Sequence, residues 1–202
     1  MKKLGVTGGI GAGKSYVCRL LADEYGLPVY DCDREAKRLN NEDPFIRQRL
    51  VEMVGPEVYC PDGTLNRSLL AAYIFGHPHH LAAVNQLVHP RVLAHFRRWL
   101  SVQHAPLVVM ESAILHSSGF DREMDYVLYV DAPEEMRIAR VMERDGSSRS
   151  QVMARIQSQT EKGCSDYVVM NDGTDLHLQL QTVMNGILKW KRIDNIRKKR
   201  LC

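Results

Sequence analysis

Short apolar runs alternate with amphipathic segments along most of the chain. The apolar runs predict five strands, at residues 4–7, 27–30, 107–110, 126–130 and 167–170. Apolar residues recur at helical spacing between them, over 17–25, 134–143 and 150–162 and from about residue 176. The stretch 34–100 is mostly helical, with breaks at Pro44, Pro56, Pro61 and Pro78. Strands that alternate with helices predict an α/β fold with a five-stranded parallel sheet flanked by helices.

Length and composition are those of an ordinary folded domain. The chain has 202 residues, 45% hydrophobic and 25% charged. A chain of this length and composition can bury a hydrophobic core without disulfides or structural metals. The longest apolar run covers only residues 69–75, and glycines interrupt the apolar start of the chain, so we expect neither a membrane span nor a signal peptide. Five scattered cysteines without C-x-x-C spacing favour reduced thiols and a cytoplasmic location.

The net charge of +3 comes from one end of the chain. Residues 189–202 hold seven basic side chains and one acid, a net charge of +6, whereas the other 188 residues hold 20 basic and 23 acidic ones, a net charge of −3. A basic excess confined to a tail is typical of a solvated chain end. We therefore expect no nucleic-acid partner and no membrane partner.

A glycine-rich segment follows the first predicted strand. Residues 8–15 fit the pattern G-x-x-x-x-G-K-[ST] between a strand and a helix. The glycines let successive backbone N–H groups turn toward an anion, and the helix N-terminus adds its positive dipole end. Lys14 is expected to reach the β- and γ-phosphates and Ser15 to ligate Mg²⁺. The side chain of Tyr16 is expected either to pack in the core, which we favour, or to lie beside the nucleotide, and its backbone N–H is available to the phosphates. The segment predicts a nucleoside triphosphate site.

An arginine-rich segment favours a kinase over other triphosphate-binding proteins. The chain has no N-K-x-D motif, which GTPases use to recognise guanine. Asp131 ends a predicted strand, as the metal-binding aspartate of a motor ATPase does, but a helix start follows it directly. Arginines recur on that helix and beyond it, at Arg137, Arg140, Arg144, Arg149 and Arg155. The first three share one face, which is typical either of a solvated surface or of a flap that stabilises a transferring phosphoryl group and excludes water. We favour the flap.

Two carboxylates follow the second predicted strand. Phosphoryl transfer to a hydroxyl needs a carboxylate that orients the nucleophile and accepts its proton, and Asp31 or Asp33 can do this. Asp33 also stands where a helix N-cap is expected, and the spacing leaves the two interpretations open. Glu111, at the end of the third strand, is a further candidate for the outer shell of a metal.

Several motifs together carry a resemblance to a known family. They are G-V-T-G-G-I-G-A-G-K-S at 5–15, D-C-D at 31–33, D-G-T-L-N-R at 62–67, H-P at 89–90, R-D-G at 144–146, R-I-Q-S-Q at 155–159 and N-D-G at 171–173. Over about residues 3–188 the chain resembles the dephospho-coenzyme A kinase family. It departs at 113–117, where the family commonly has P-L-L-F-E and this chain has A-I-L-H-S. The basic tail lies outside the resemblance.

The resemblance implies an activity and a division of the chain. It implies transfer of the ATP γ-phosphoryl group to the ribose 3′-hydroxyl of dephospho-coenzyme A with Mg²⁺, by a monomer or small homo-oligomer with a P-loop kinase fold. The single domain would comprise a core (about 1–33, 104–136 and 164–202), a helical acceptor-binding subdomain (about 34–103) and a helical lid (about 137–163). Alternatives are a kinase of nucleosides or nucleotide monophosphates, and a nucleotide-gated regulatory protein.

The resemblance also implies roles for individual residues. Catalysis would fall to Asp33, the base, with Lys14, Arg140 and Arg144. ATP would be bound by Gly11, Ala12, Gly13, Lys14, Ser15, Tyr16, Asn171 and Gly173. The acceptor would be bound by Asp31, Leu65, Asn66, Arg67, His89 and Arg155. The metal would be held by Ser15, with Asp31 and Glu111 acting through water.

Overall fold

A five-stranded parallel sheet forms the centre of the fold. The computed structural model describes residues 1–159 and 163–189. The strands are β1 (Lys2–Gly8), β2 (Val29–Asp31), β3 (Leu107–Glu111), β4 (Tyr126–Asp131) and β5 (Tyr167–Met170), in the spatial order β2-β3-β1-β4-β5. β1 pairs in parallel with β3 and β4, and β4 pairs in parallel with β5. The predicted five-stranded parallel sheet is confirmed.

Eight α-helices accompany the strands within the described residues. They are α1 (Lys14–Tyr25), α2 (Cys32–Glu42), α3 (Pro44–Val54), α4 (Arg67–Ile74), α5 (Pro78–Ser101), α6 (Glu134–Asp145), α7 (Arg149–Ser158) and α8 (Leu176–Lys189). Short 3₁₀ turns occur at Pro56–Val58 and Phe120–Glu123. The chain divides into two compact units. The sheet unit comprises Met1–Tyr30 and the chain from His104 onward, and the helical unit comprises Asp31–Gln103.

The sheet unit is organised around its central strand. Leu4 and Val6 of β1 are fully buried in a cluster with side chains of α1, α8 and the neighbouring strands. Gly5 has no room for a side chain, because a Cβ there would lie 2.7 Å from Leu115 and 2.9 Å from Met124. The segment after β3 therefore packs directly against the β1 backbone, and Leu115, inside the divergent stretch 113–117, is fully buried.

The helical unit has its own core and its own polar brace. Ile46, Leu50 and Phe96, on α3 and α5, are fully buried. Asp43 accepts hydrogen bonds from the backbone N–H groups at the start of α3, and its other oxygen accepts two from Arg91 of α5, at 2.9 and 2.6 Å. Buried side chains and one carboxylate thus link these helices.

Element boundaries differ from the sequence prediction where local chemistry sets them. β2 begins two residues later than predicted, after Pro28, and α7 begins at Arg149 because Ser148 and Gln151 form a reciprocal capping box. α7 ends at Ser158 rather than 162, and residues 160–162 lie outside the described part of the chain. Pro78 starts α5 instead of only breaking a helix, since its missing N–H costs nothing in a first turn.

Two further expectations from the sequence concern membrane-spanning helices and the state of the cysteines. No described helix combines the length and the apolar character needed to cross a membrane. Cys18, Cys32 and Cys60 are free thiols, but Cys164 is disulfide-bonded, which departs from the expectation that every cysteine is reduced. Cys202 and the rest of the basic tail beyond Lys189 lie outside the described residues.

Candidate active site

The glycine-rich segment forms a loop between β1 and α1 in the sheet unit. Gly11 and Gly13 have positive φ angles of 77° and 96°, which side-chain-bearing residues rarely adopt. Gly13 is the N-cap of α1 and provides no side-chain cap. The first N–H groups of an α-helix have no partner inside the helix, so the loop and α1 together present N–H groups to an anion.

The carbonyl groups of the loop are held by donors around it. Lys14 Nζ donates to the carbonyl oxygens of Gly8 and Gly9, at 3.0 and 3.2 Å. The next three carbonyl groups accept from side chains outside the loop: Ile10 O from Arg137 Nε at 2.9 Å, Gly11 O from Arg140 Nη1 at 3.4 Å and Ala12 O from Asn171 Nδ2 at 2.8 Å. The C=O and N–H groups of a trans peptide point in opposite directions. Each of these bonds therefore turns the N–H group of the next residue away from the donor side chain.

Helix α6 lies directly on the loop. A Cβ at Gly11 would overlap the backbone of Arg137, and a Cβ at Gly13 would overlap the side-chain amide of Asn171. The glycines are therefore needed for two reasons, their φ angles and the close approach of neighbouring groups. The sequence pattern indicated the first reason only.

Ser15 and Glu111 meet at the carboxyl edge of the sheet. Ser15 Oγ donates a 2.6 Å hydrogen bond to Glu111 Oε1. The register of β1 and β3, in which Val6 faces Glu111, brings the end of β3 to the start of the loop. A hydroxyl and a carboxylate are the hard oxygen donors that Mg²⁺ prefers, and this ion commonly takes few protein ligands when phosphates supply the rest. The pair fits Mg²⁺, although the described residues contain no cluster of three or more His, Cys, Asp or Glu that could hold a metal.

A pocket of about 240 Å³ opens between the loop and α6. Its lining residues are Gly11, Gly13, Lys14, Ser15, Tyr16, Arg140, Val141 and Arg144. The expectation that Tyr16 packs in the core is wrong, because its side chain is 46% exposed. Seven of the residues assigned to ATP or catalysis, all of the lining except Val141, thus surround one cavity, and three of them carry a cationic side chain.

The arginines of α6 and α7 occupy distinct environments. Arg140 donates to Asn171 O at 3.1 Å as well as to the loop. Arg144 and Arg155 both contact Asp145, at 2.7 and 3.1 Å, and their hydrogen bonds and charges lower the pKa of the Asp145 carboxyl. Arg149 forms a two-bond ion pair with Glu135, which joins the first turns of α6 and α7.

The loop after β5 contacts the phosphate loop by its first residue. Besides the bond to Ala12, Asn171 donates its backbone N–H to Asp131 O at 2.7 Å. Asp172 accepts from the N–H and hydroxyl of Thr174 in a tight turn, and Gly173 has a φ of 97°. The side chain of Asn171 therefore supports the phosphate loop, a role that the sequence did not indicate.

The two carboxylates of D-C-D belong to the helical unit and differ in position. Asp31 ends β2 and caps α2 by accepting from Arg34 N at 2.9 Å. Asp33 lies in the first turn of α2 and is exposed. The idea that Asp33 is the helix cap is wrong, because Asp31 is the N-cap.

The D-G-T-L-N-R segment of the helical unit is held by its own side chains and by those of Asn41 and Arg47, the latter donating to Gly63 O at 2.7 Å. Asp62 accepts from the N–H and hydroxyl of Thr64, and Leu65 N donates to Asn41 Oδ1 at 2.7 Å. Asn66 is the N-cap of α4 and accepts from Leu69 N at 3.1 Å. These side chains build a turn and a helix start that carries Arg67, the first residue of α4.

His89 of the helical unit is partly buried in α5. Burial lowers the pKa of its imidazole, which favours the neutral ring. Pro90 follows it inside α5. Proline removes one helical hydrogen bond, yet α5 continues to Ser101.

Two side chains at the phosphate loop were missing from the sequence-based site. Arg137 was recognised only as one of several arginines, and Gln159 only as part of a motif. Gln159 Oε1 accepts from Ile10 N at 2.6 Å. No local sequence signal indicates a bond between residues 149 positions apart; only the fold brings them together.

The glycine-rich loop, the helix across it and the serine–carboxylate pair at the sheet edge define a P-loop kinase. Solved structures agree: TT1252 from Thermus thermophilus superposes with a TM-score of 0.79 at 34% identity, over 93% of this chain and 96% of that one. Dephospho-CoA kinase from Campylobacter jejuni, 20% identical, shares the fold with a TM-score of 0.63, over 94% and 98% of the two chains.

The particular family follows from the sequence. The family model for dephospho-CoA kinase matches residues 3–176. A Bacteroides fragilis protein named dephospho-CoA kinase is 46% identical over 176 residues, 85% of each chain. The chain belongs to the dephospho-CoA kinase family.

Proposed function

We propose that this chain transfers the γ-phosphoryl group of ATP to the ribose 3′-hydroxyl of dephospho-coenzyme A, giving ADP and coenzyme A. The observation that carries the proposal is the phosphate loop, whose carbonyl groups are bonded from outside and whose pocket is lined by Lys14, Arg140 and Arg144. Family membership supplies the acceptor. It favours dephospho-coenzyme A over nucleosides, nucleotide monophosphates or a purely regulatory role.

The cationic side chains would act on the transferring phosphoryl group. Negative charge on that group is stabilised best by donors fixed before the reaction. Lys14 is fixed by two carbonyl groups of the phosphate loop, and Arg140 by one carbonyl of that loop and by Asn171 O. Arg144 is bonded to Asp145 and would turn to the phosphates from the rim of the pocket. The uncapped start of α1 adds N–H donors, including that of Tyr16.

The acceptor hydroxyl would be handled by the helical unit. Asp33 orients the 3′-hydroxyl and accepts its proton as the new P–O bond forms and the bond to ADP breaks. Acceptor contacts are proposed for Asp31, Leu65, Asn66, Arg67, His89 and Arg155. The helical unit would be the acceptor-binding subdomain and residues about 137–163 the lid.

The metal requirement is also part of the proposal. Ser15 Oγ would bind Mg²⁺ directly, and the carboxylates of Glu111 and Asp31 would hold its waters. When bound, the ion neutralises charge on the β- and γ-phosphates. We further propose that the protein acts in the cytoplasm as a monomer or small homo-oligomer, without a nucleic-acid partner.

An acceptor panel tests the proposal. With ATP and Mg²⁺, the purified protein should phosphorylate dephospho-coenzyme A and leave adenosine, AMP and other nucleosides untouched. Asp33→Asn should lower turnover by about 10²- to 10⁴-fold while ATP affinity stays unchanged. Asp23→Asn, at an exposed position on α1, is the matched control. Activity on nucleosides alone, or wild-type turnover by Asp33→Asn, would overturn the acceptor or the base respectively.

A further inference from the structure

Ile10, in the middle of the phosphate loop, is bonded on both sides to the segment formed by α6 and α7. Its N–H donates to Gln159 Oε1 at 2.6 Å, directly after the end of α7. Its C=O accepts from Arg137 Nε, on α6, at 2.9 Å. Two consecutive peptide units of the loop are therefore fixed by two side chains far away in sequence.

The side chain of Ile10 strengthens this attachment. Ile138 and Val141 of α6 and Val152 of α7 form a small buried cluster, each at most 1% exposed. Ile10 packs against that cluster together with Met153 and Ile156 of α7. A residue of the phosphate loop thus takes part in the core that holds α6 and α7 together.

The orientation of these peptides matters for phosphate binding. Because C=O and N–H point in opposite directions in a trans peptide, the bond from Arg137 to Ile10 O turns the N–H of Gly11 away from α6. The bond from Ile10 N to Gln159 likewise turns Gly9 O to the side where Lys14 Nζ binds it. Neither Ile10 group is itself directed to an anion, so their contribution is to loop shape.

We propose that Gln159 and Arg137 are positioning residues of the kinase: they hold the Ile10 peptide so that the loop is already shaped for the ATP phosphates, and they tie that shape to the position of α7. The inference rests on the proposed phosphate-binding role of the loop but not on the identity of the acceptor. A loop that must be ordered at the moment of binding binds more weakly than one that is already ordered.

A matched pair of substitutions tests the role of Gln159. Gln159→Met keeps the length of the side chain and removes the acceptor, and Gln157→Met makes the same change at an exposed position of α7. Gln159→Met should weaken ATP binding, measured by titration without acceptor, by about fivefold, the usual net worth of one hydrogen bond. It should also raise KM for ATP and leave KM for the acceptor unchanged, while Gln157→Met matches the wild type.

A direct readout separates positioning from a general loss of structure. Amide exchange of Ile10, followed by NMR, should accelerate at least about tenfold in Gln159→Met. Gln159→Glu keeps an acceptor oxygen and should restore slow exchange. Wild-type exchange at Ile10, or ATP affinity equal to that of Gln157→Met, would overturn the proposal. An inactive acceptor panel would instead contradict the proposed acceptor and leave these binding measurements valid.

Discussion

Two glycine-containing motifs, one in each unit, use their residues in different ways. In the phosphate loop the working groups are backbone N–H groups, and the surrounding side chains bond to the loop carbonyls from outside. In the segment 62–67 the motif side chains bond to backbone within a few residues of themselves. Three carbonyl groups of the first motif are thus bonded by side chains from distant parts of the chain, whereas the second motif combines its local bonds with two from neighbouring helices: Arg47 to Gly63 O and Leu65 N to Asn41 Oδ1, both at 2.7 Å.

Because of this difference, substitutions in the two motifs should change different measured quantities. A change in the phosphate loop alters the fit between the loop and its neighbours, so it should appear first in ATP binding. A change in the segment 62–67, or in the brace at Asp43, should appear first in the free energy of unfolding. Effects on the acceptor would follow from loss of local order in the helical unit.

The same substitution in the two motifs gives the sharpest contrast. Gly11 and Gly63 both have left-handed φ angles, 77° and 83°, so alanine should strain each by about 1–2 kcal/mol. Only at Gly11 does the added Cβ also overlap backbone, that of Arg137, which should add about 1–3 kcal/mol. If these costs fall on the binding-competent shape of the loop, Gly11→Ala should weaken ATP binding by about 30- to 5,000-fold.

Gly63→Ala is the control for that comparison. Its Cβ would lie 3.9 Å from the nearest atom, on the Arg47 side chain, which is ordinary contact. We expect a loss of about 1–2 kcal/mol in unfolding free energy and unchanged ATP affinity. Both variants are compared by calorimetric titration with ATP and by urea denaturation. Equal ATP affinities for the two variants would contradict the close packing of α6 on the loop.

Among the substitutions in the helical unit, loss of the Asp43 carboxylate that links α3 to α5 should cause the largest decrease in the free energy of unfolding. The Asp43 side chain is 7% exposed and accepts both two N–H groups of α3 and two bonds from Arg91. Burial opposes ionisation, but Arg91 and the two N–H groups outweigh it and lower the pKa of Asp43. Asp43→Ala should lower the unfolding free energy by about 2–3 kcal/mol, measured by urea denaturation.

ATP binding provides the control for Asp43→Ala. Because Asp43 belongs to the helical unit, ATP affinity should stay within about twofold of wild type while KM for the acceptor rises. Glu52→Gln removes an exposed carboxylate of α3 and should change neither quantity. A loss of ATP affinity as large as that of Gly11→Ala would remove the distinction between the two regions.

Much of the fold was predictable because its signals are local. Runs of apolar residues predicted every strand, and the helix predicted to end at residue 25 does end there, before a left-handed Gly26. The capping box at Ser148 is an equally local signal, yet the sequence prediction started that helix at 150 instead of Arg149. The phosphate loop was predictable for the same reason: glycine, lysine and serine at fixed spacing have one main chemical use.

The supports of the loop were not predictable, because they are contacts between distant parts of the chain. Nothing near Gln159 indicates that its amide meets Ile10, and nothing near Asn171 indicates a bond to Ala12. Asp31 and Asp33 illustrate a different difficulty: the spacing indicated Asp33 as the possible helix cap, whereas Asp31 is the residue with extended backbone that accepts from Arg34 N.

Two asparagines, one at each motif, test the comparison between the motifs by the loss of a single side-chain hydrogen bond. Asn171 donates its amide to Ala12 O in the phosphate loop, and Asn66 accepts Leu69 N at the start of α4. Asn171→Ala should weaken ATP binding by about fivefold, since it frees a loop carbonyl. Asn66→Ala should lower the unfolding free energy by about 1 kcal/mol with no change in ATP affinity. Titration and denaturation of both variants check this, and exchanged effects would contradict it.

The smallest expected effect concerns pH and the helical unit. Burial, followed by the charge of Arg38, lowers the pKa of His95, and its Nε2 lies 2.9 Å from Arg38 Nη2. Burial also lowers the pKa of His89. A lowered folded-state pKa means that the unfolded chain binds protons first. The stabilising contribution is therefore present above the ordinary histidine pKa of about 6.5 and is lost as the pH falls through the lowered values.

Denaturation midpoints measured at intervals from about pH 7.5 to pH 5 check this sign. The wild type should lose stability as the pH falls through this window, and His95→Gln should lose less, because glutamine keeps an acceptor for Arg38 and cannot be protonated. His104→Gln, at an exposed position of the sheet unit, should retain the full wild-type dependence. A profile for His95→Gln that coincides with the wild type would show that His95 does not contribute to the pH dependence of stability.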